Sequence, residues 1–384
     1  MELLKLASHY KESNLLGRYI CLKHIEPLLG QLKFKNEVSI IGESVLKKPI
    51  YNFNIGSGKI KILMWSQMHG DESTTTKALF DFFNYLKSDE IEAIHFLKSF
   101  TFSIIPILNP DGAEAYTREN ANTIDLNRDA QNLSQPESVV LRALYDDFKP
   151  HYCFNLHDQR SIYGAGNTSN PATVSFLAPA FNSERVINKS RGKAIDLISY
   201  VFKGLSEIIP NQIGRFNDAF NFDCVGDTFQ YFKTPTILFE AGHYQNDYDR
   251  EKTRAFIFCS YLLAFRYLNE NDIVDSKSAI YLKIPQNNVN FYDFICRNVK
   301  IVLDGVELIT SFAANYREIL LQGEIFFELE VLEIGNLKGF TGHFEYDAME
   351  KQYSDEDSKC PIIGKKVNFR LDKTIEFVNG VKIS

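Results

Sequence analysis

Short apolar runs alternate with longer amphipathic stretches along the first two thirds of the chain. Apolar runs of this kind indicate buried strands, and apolar positions that recur every three or four residues indicate helices packed by one face. The predicted strands are KIKILMWSQ (59–67), TFSIIPIL (101–108), HYCFNL (151–156) and TPTILFE (234–240). The predicted helices begin near Glu72 and cover 134–149, 184–208 and 250–268. Ser134 and Glu137 have the spacing of a capping box at the start of the second of these helices. This alternation predicts a three-layer α/β/α sandwich around a mostly parallel mixed sheet.

The pattern changes near residue 272. Beyond NENDIVDSKS (269–278), runs such as EIFFELEVLEI and KVNFRL have the composition of strands, with turn residues between them and no helical periodicity. We therefore predict an α/β domain over 1–272, whose residues 1–50 form a lead-in of helices and strands. A β-rich accessory domain is predicted over 273–384.

Each of the predicted parallel strands is followed by polar residues. HGDE (69–72) follows the first, NPDG (109–112) the second, HDQ (157–159) the third and EAGH (240–243) the fourth. Open α/β sheets bind ligands at the carboxyl ends of their strands. A sheet built for stability alone would not need polar side chains at all four ends, so this edge is the predicted functional site.

His69 and Glu72 are three residues apart where a strand passes into a helix, so an imidazole and a carboxylate can point to one position. Gly70 allows the backbone to bend between them. A catalytic zinc ion usually takes three protein ligands of this kind and leaves one position for water. His157, at the end of another strand, is the best candidate for the third ligand. The alternative is that His69 and Glu72 cap the helix and that His157 is a hydrogen-bonded strand-end residue.

The segment RENANTIDLNRDA (118–130) places two arginines in a predicted loop. A guanidinium group matches a carboxylate through two parallel hydrogen bonds, so such a loop can dock an anionic group of a ligand. The alternative is a solvated loop with surface salt bridges.

HGDE, NPDG, the arginine ahead of NANTIDLNR, LHDQ and LFEAG occur in the order and approximate spacing of the zinc carboxypeptidases, the relatives of carboxypeptidase A. The chain resembles this family from about Ser39 to Leu268, and DLNR is its most distinctive motif. The resemblance implies a metallopeptidase that binds one zinc ion through His69, Glu72 and His157.

The resemblance also implies roles for four further residues. Arg118 would polarise the scissile carbonyl group, and Asn127 with Arg128 would hold the terminal carboxylate of the substrate. Glu240 would be the general base. Peptide hydrolysis needs such a carboxylate, because the proton of the zinc-activated water must be passed to the leaving amine. The alternative for Glu240 is an ionised strand-end residue in a salt bridge.

The chain departs from the family in one motif. Carboxypeptidase A relatives carry a mobile tyrosine upstream of the general base, whereas RFNDAFNFDCVGD (215–227) contains no tyrosine. The family's side-chain pocket lies around 225–228 here, so Asp227 or Asp223 would favour a basic substrate side chain. The alternative is a solvated acidic turn.

Two other functions fit the same pattern. Zinc-dependent deacylases resembling aspartoacylase and succinylglutamate desuccinylase share the zinc ligands, an arginine before DLNR and often a C-terminal β domain. NPDG and the long interval from His157 to Glu240 favour the carboxypeptidases. The second alternative is a catalytically silent module that uses the metal pocket to recognise carboxylates.

Composition and charge limit the classes of partner that we expect. The formal charge of −7 comes from 49 acidic and 42 basic residues, which argues against binding to nucleic acid. No apolar run approaches the ~20 residues of a membrane span, and the first residues lack the pattern of a signal peptide. The six widely spaced cysteines predict reduced thiols in a cytoplasmic protein. The expected partner is a peptide or a small carboxylate-bearing substrate, and the pattern indicates no oligomeric state.

Overall fold

The computed structural model describes residues 2–31, 37–270 and 278–383. The chain forms two compact units. The first comprises 1–159 and 172–287, and the second comprises 160–171 and 288–384. The predicted domain boundary at 272–273 lies outside the described residues, so its position stays a prediction.

The helices and strands have the following bounds. The helices are α1 (Glu2–His9), α2 (Leu22–Gln31), α3 (Thr74–Leu86), α4 (Ile91–Ser99), α5 (Pro110–Ala115), α6 (Pro136–Phe148), α7 (Lys189–Ser206), α8 (Val225–Tyr231), α9 (Glu251–Glu270) and α10 (Ser278–Tyr281), with a short 3-10 helix at Leu126–Arg128. The strands are β1 (Val38–Glu43), β2 (Pro49–Gly56), β3 (Ile60–Trp65), β4 (Phe100–Ile105), β5 (Tyr152–Asp158), β6 (Tyr163–Ala165), β7 (Val174–Leu177), β8 (Ile213–Arg215), β9 (Thr236–Ala241), β10 (Asn287–Val289), β11 (Phe291–Leu303), β12 (Val306–Leu321), β13 (Glu324–Gly335), β14 (Thr341–Asp347), β15 (Tyr353–Ser354), β16 (Phe369–Leu371), β17 (Ile375–Val378) and β18 (Val381–Lys382). None of the helices described here is long and apolar enough to cross a membrane.

The first unit is organised around one eight-stranded sheet in the order β1-β2-β4-β3-β5-β9-β7-β8. The central strands β4, β3, β5 and β9 run parallel to one another. β1 and β2 pair in the antiparallel sense towards one edge, whereas towards the other edge β7 is antiparallel to β9 and parallel to the edge strand β8. The predicted mostly parallel mixed sheet is therefore confirmed.

Both faces of the central strand β3 are buried, which explains its continuous apolar run. Ile62 and Met64 belong to the core that α3, α7 and α9 cover. Leu63 and Trp65 belong to a second core on the opposite face, where α6 and α8 pack. Because successive side chains of a strand point to opposite faces, one strand joins two helical layers. The unit is thus the predicted α/β/α sandwich.

The helix predicted over 134–149 forms, but it does not begin with the expected capping box. That box would pair the side chains of Ser134 and Glu137 with the first turn of the helix. Instead, Gln135 precedes the first turn without a side-chain cap, and the Ser134 hydroxyl donates to Asp129. Glu137 accepts hydrogen bonds from Val45 and Asn120. Contacts from distant parts of the chain have replaced the local pairing.

The second unit consists of β strands, as expected for the C-terminal region. β11–β14 form a four-stranded sheet in the order β13-β12-β11-β14, and β15–β18 form another. Their core is rich in aromatic rings, including Phe294, Phe312 and a stacked pair of Phe369 and Phe377 whose centroids are 4.5 Å apart.

A buried ion pair joins α9 to α3 in the first unit. The Arg254 guanidinium donates to both carboxylate oxygens of Asp81, from Nε at 2.7 Å and from Nη2 at 2.5 Å. Each residue is only 1% exposed. Arg254 also donates to the backbone oxygens of Glu12 and Leu15, so the pair anchors the segment between α1 and α2.

We predict that Asp81→Ala lowers the free energy of unfolding by about 3–5 kcal/mol, because it leaves the guanidinium buried without its counter-charge. Urea unfolding followed by circular dichroism measures the change. The matched control is Asp146→Ala, which breaks an i,i+4 pair with Arg142 on α6. We expect a loss below about 0.5 kcal/mol for this control, and equal losses for the two variants would contradict the interpretation.

Candidate metal centre and active site

Strand register brings together side chains that are far apart in the sequence. His157 on β5 is paired through its Cα with Glu240 on the parallel neighbour β9. His69 and Glu72 lie between β3 and α3, and β3 is the other neighbour of β5. One donor atom each from His69, Glu72 and His157 lie within 4.8 Å of one another.

The three donors have the geometry of a metal site. His69 Nδ1 lies 2.8 Å from Glu72 Oε1, and His157 Nδ1 lies 2.7 Å from Glu72 Oε2. The two Nδ1 atoms are 3.2 Å apart. Zinc–nitrogen bonds of about 2.0–2.1 Å at a tetrahedral angle would separate two nitrogens by roughly 3.3 Å. This donor set therefore fits a zinc ion.

Close packing of two loops fixes the HGDE turn. A side chain at Gly70 would place its Cβ 2.0 Å from the backbone carbon of Gly112 in the NPDG motif. Two backbone hydrogen bonds lie near this contact, from Leu108 N to the oxygen of Ser66 and from Asn109 N to the oxygen of Gln67. The glycine is therefore required by the approach of α5, which is a different reason from the backbone bend expected from the sequence.

The charged groups of the cluster shift one another's pKa values. Burial alone would lower the pKa of His69, but the Glu72 and Asp125 carboxylates raise it to about 9. Against its own burial, Glu72 has its pKa held below the usual range by His69 and His157. Burial lowers the pKa of His157. A metal ion binds neutral imidazole, so its binding would displace the proton from His69.

Glu240 lies beside this cluster on β9. Its Oε2 atom is buried, and no hydrogen-bond partner for it is found among the described residues. Burial, followed by the nearby Glu72 carboxylate, raises the pKa of Glu240 well above its ordinary value. A carboxyl group in this position can exchange a proton with a molecule in the site.

Asp125 links the metal donors to Arg118, and the sequence analysis did not single it out. Its Oδ1 lies 3.0 Å from His69 Nε2, the ring nitrogen that faces away from the cluster. Its Oδ2 accepts from Arg118 Nε and Nη2 at 3.2 and 3.0 Å. A carboxylate on the second nitrogen of a metal-binding histidine fixes the orientation of the ring. The signal in the sequence was the first residue of DLNR, a motif in which only the asparagine and the arginine were expected to bind substrate.

Arg118 reaches the cluster itself. Its Nη1 lies 3.2 Å from His69 Nδ1 and 3.4 Å from Glu72 Oε1. Asn127 and Arg128 lie in the 3-10 helix beside the start of α8, where Val225 N donates to Asn127 Oδ1 at 3.0 Å. Arg128 is exposed and donates to Cys224 Sγ at 3.1 Å.

Residues 28–178 match the family model described as "Zinc carboxypeptidase". Over these residues, which make up less than half of the chain, the protein is similar to the zinc carboxypeptidase family. Carboxypeptidase 2 of Trichophyton rubrum is 25% identical over 159 residues, which span 37% of this chain and 29% of that protein. The chain therefore spans less than a third of the length of this relative.

Solved carboxypeptidase structures share the fold of this chain. The metallo-carboxypeptidase from Burkholderia cenocepacia has a TM-score of 0.51 and 17% identity, with 64% of this chain and 69% of that one covered. Carboxypeptidase A from Helicoverpa armigera has a TM-score of 0.51 and 16% identity, with 71% and 80% covered. The family resemblance and the fold expected from the motifs are both confirmed.

Asp227 lies in the first turn of α8 and is 8% exposed. Burial raises the pKa of its carboxyl group, and the backbone N–H groups of Asn221 and Ala180 act in the opposite direction. None of the described hydrogen bonds joins it to the metal donors or to Glu240. A role for Asp227 in a zinc carboxypeptidase pocket remains a prediction.

We predict that Gly70→Ala weakens zinc binding by at least about tenfold, because the new methyl group would force the HGDE turn away from Gly112. Competition with a chromogenic chelator measures the zinc dissociation constant. Gly192→Ala in α7 is the control, since a Cβ there meets nothing within 4 Å. Unchanged zinc affinity in folded Gly70→Ala would contradict the packing argument.

We also predict a pH-dependent effect of Asp227→Asn on stability. Burial raises the pKa of Asp227 to about 7, while an unfolded aspartate titrates near 3.9. The native state thus retains a proton that the unfolded state loses, so the contribution of Asp227 to stability is lost as pH rises through 7. The variant should gain up to about 3 kcal/mol over the wild type between pH 5 and 8, measured by urea unfolding. A difference that does not vary with pH would refute this.

Proposed function

We propose that this protein is a zinc-dependent metallocarboxypeptidase that hydrolyses the C-terminal amide bond of a peptide or peptide-like substrate, with one zinc ion. The observation that carries the proposal is the convergence of donors from His69, Glu72 and His157 with Glu240 in register beside them. The similarity of residues 28–178 to the family supports it. A zinc ion held by these residues would polarise the scissile carbonyl group and lower the pKa of a bound water.

In this proposal Glu240 is the general base. Its carboxylate takes a proton from the attacking water and then donates it to the nitrogen of the leaving amine. Glu240 therefore ends each turnover in the ionised state in which it began. The partly dry surroundings of Glu240 Oε2 support this role, because no neighbouring donor competes for that oxygen among the described residues.

Arg118 stabilises the charge that develops on the carbonyl oxygen. Its Nη1 atom is within 3.4 Å of two metal donors, and its other nitrogens are held by Asp125. A preorganised donor at such a position contributes about 3 kcal/mol to the transition state. Asn127 and Arg128 bind the terminal carboxylate of the substrate, which restricts cleavage to the last residue.

Two alternatives keep the same metal site. A zinc-dependent deacylase would release an acyl acid from an N-acyl amino acid, and the β-rich second unit agrees with this class. A catalytically silent module would bind carboxylates without turnover. We further propose a cytoplasmic setting, which the six free thiols support, and no nucleic-acid partner, which the net charge of −7 supports.

We predict that the zinc-loaded wild type releases C-terminal residues from a peptide panel and that Glu240→Gln lowers kcat by about 10²–10⁴-fold without loss of zinc. Glu184→Gln, an exposed loop variant, is the control and should match the wild type. Mass spectrometry of the products, with N-acyl amino acids in the same panel, distinguishes peptidase from deacylase. If the wild type and Glu240→Gln both bind peptides and neither cleaves any substrate, the silent module is the correct function.

A further inference from the structure

Asn120 is a buried amide in the loop between α5 and the 3-10 helix, and it is 4% exposed. Its Oδ1 accepts from the backbone N–H groups of Asn122 and Ile124, both at 3.1 Å. Its Nδ2 donates to Gln135 Oε1 at 2.9 Å and to Glu137 Oε2 at 3.1 Å. Every hydrogen-bonding position of the amide is used, and the two acceptors and two backbone donors fix its orientation.

The partners of Asn120 belong to the start of α6. Glu137 is 0% exposed, and its other oxygen accepts from the backbone of Val45 at 3.1 Å. Gln135 Oε1 also accepts from Asn122 Nδ2 at 2.9 Å. The buried carboxylate and the amide thus tie the loop to a helix that packs directly against the central sheet.

The turn that Asn120 closes brings Arg118 and Asp125 together. Asn120 N donates to the oxygen of Ile124, and Thr123 N donates to the oxygen of Asn120. Arg118 and Asp125 flank this turn and form the two-point contact that aims the guanidinium at the metal donors. Displacing the turn would therefore displace Arg118.

The following segment of the loop is anchored elsewhere. Asn127 Oδ1 accepts from Val225 N, Arg128 Nη1 donates to Cys224 Sγ, and Ala130 N donates to the oxygen of Asp223. These contacts lead to α8 and its preceding loop, whereas those of Asn120 lead to α6. Asn127 and Arg128 thus have contacts of their own at α8, in addition to the link to α6 through Asp129, whose carboxylate accepts from Ser134 and Gln135.

We propose that Asn120, held by Gln135 and Glu137, is a positioning residue that fixes Arg118 for the chemical step without contributing to substrate anchoring at Asn127 and Arg128. This inference rests on the proposed function of the metal site. It predicts that a mutation at Asn120 lowers turnover, whereas a mutation at Asn127 or Arg128 in the same short loop weakens substrate binding.

The first test compares kinetic parameters on a cleaved peptide. Asn120→Ala should lower kcat by about 10- to 100-fold, because a small misplacement of a catalytic group has this effect, and should change KM less than twofold. Arg128→Ala should instead raise KM. Asn122→Ala is the matched control, since this exposed neighbour contributes one side-chain bond to Gln135, and it should change kcat less than twofold.

A double-variant cycle distinguishes positioning from a general loss of structure. If Asn120 acts through Arg118, then Asn120→Ala should lower kcat no further in an Arg118→Ala background. Hydrogen exchange of the zinc-free protein gives a readout that does not depend on activity. The amides of Asn122 and Ile124 should exchange faster in Asn120→Ala, while those of Val225 and Ala130 should not.

A polarity swap provides a rescue. Asn120→Asp alone places a carboxylate against Glu137 and should lower kcat at least as much as Asn120→Ala. Adding Glu137→Gln supplies a donor to the new carboxylate and should restore part of kcat.

The outcomes separate this inference from the proposed function. A zinc-loaded wild type that cleaves nothing overturns the proposed function, and the inference fails with it. If the wild type is active, either of two results overturns the inference alone. One is that Asn120→Ala leaves kcat unchanged. The other is that Asn120→Ala lowers kcat as much in the Arg118→Ala background as in the wild type.

Discussion

The parallel register of three neighbouring strands is the constraint on which this site depends. The Cα of His157 on β5 is paired with that of Glu240 on β9, and Asn155, two residues earlier, is paired with Trp65 at the end of β3. Strand ends that are level in this way let residues from distant parts of the chain meet with short connections. A slip of one residue would turn each strand side chain to the other face of the sheet, so the metal donors and the carboxyl group could not both remain in place.

Contacts around the strands then fix the positions and orientations of the site residues. The contact between Gly70 and Gly112 sets the HGDE turn, and Asp125 orients both His69 and Arg118 from one carboxylate. Beyond them, Glu137 and Asn120 hold the loop from the α6 side. Asn120 and Glu137 are buried, Asp125 is half-buried, and hydrogen bonds hold all three. Such sites require placement within about half an ångström.

The sequence predicted the strands, the sandwich and the donor residues because these have local signals. Buried parallel strands appear as continuous apolar runs, and polar residues at their ends stand out against that background. Asp125, Asn120 and the close packing of Gly70 were not predicted, since the sequence does not show which residues of neighbouring segments each of them contacts. Glu137 shows the reason: its spacing from Ser134 favoured a local cap, but the structure uses it for Val45 and Asn120. Local patterns do not reveal which long-range partner will replace them.

The electrostatics of the cluster suit a bound cation. Two Nδ1 atoms face each other at 3.2 Å, and the Glu72 carboxylate lies against both. Lone pairs that converge in this way repel unless a positive charge lies between them, and, against the effect of burial, the Glu72 and Asp125 carboxylates raise the pKa of His69. A dication satisfies three donors at once, whereas a proton satisfies two at most. The additional positive charge would also offset the cost of keeping the Glu240 carboxylate buried close to Glu72. In the proposed enzyme, the same charge would hold the ligands together and allow an ionised base beside them.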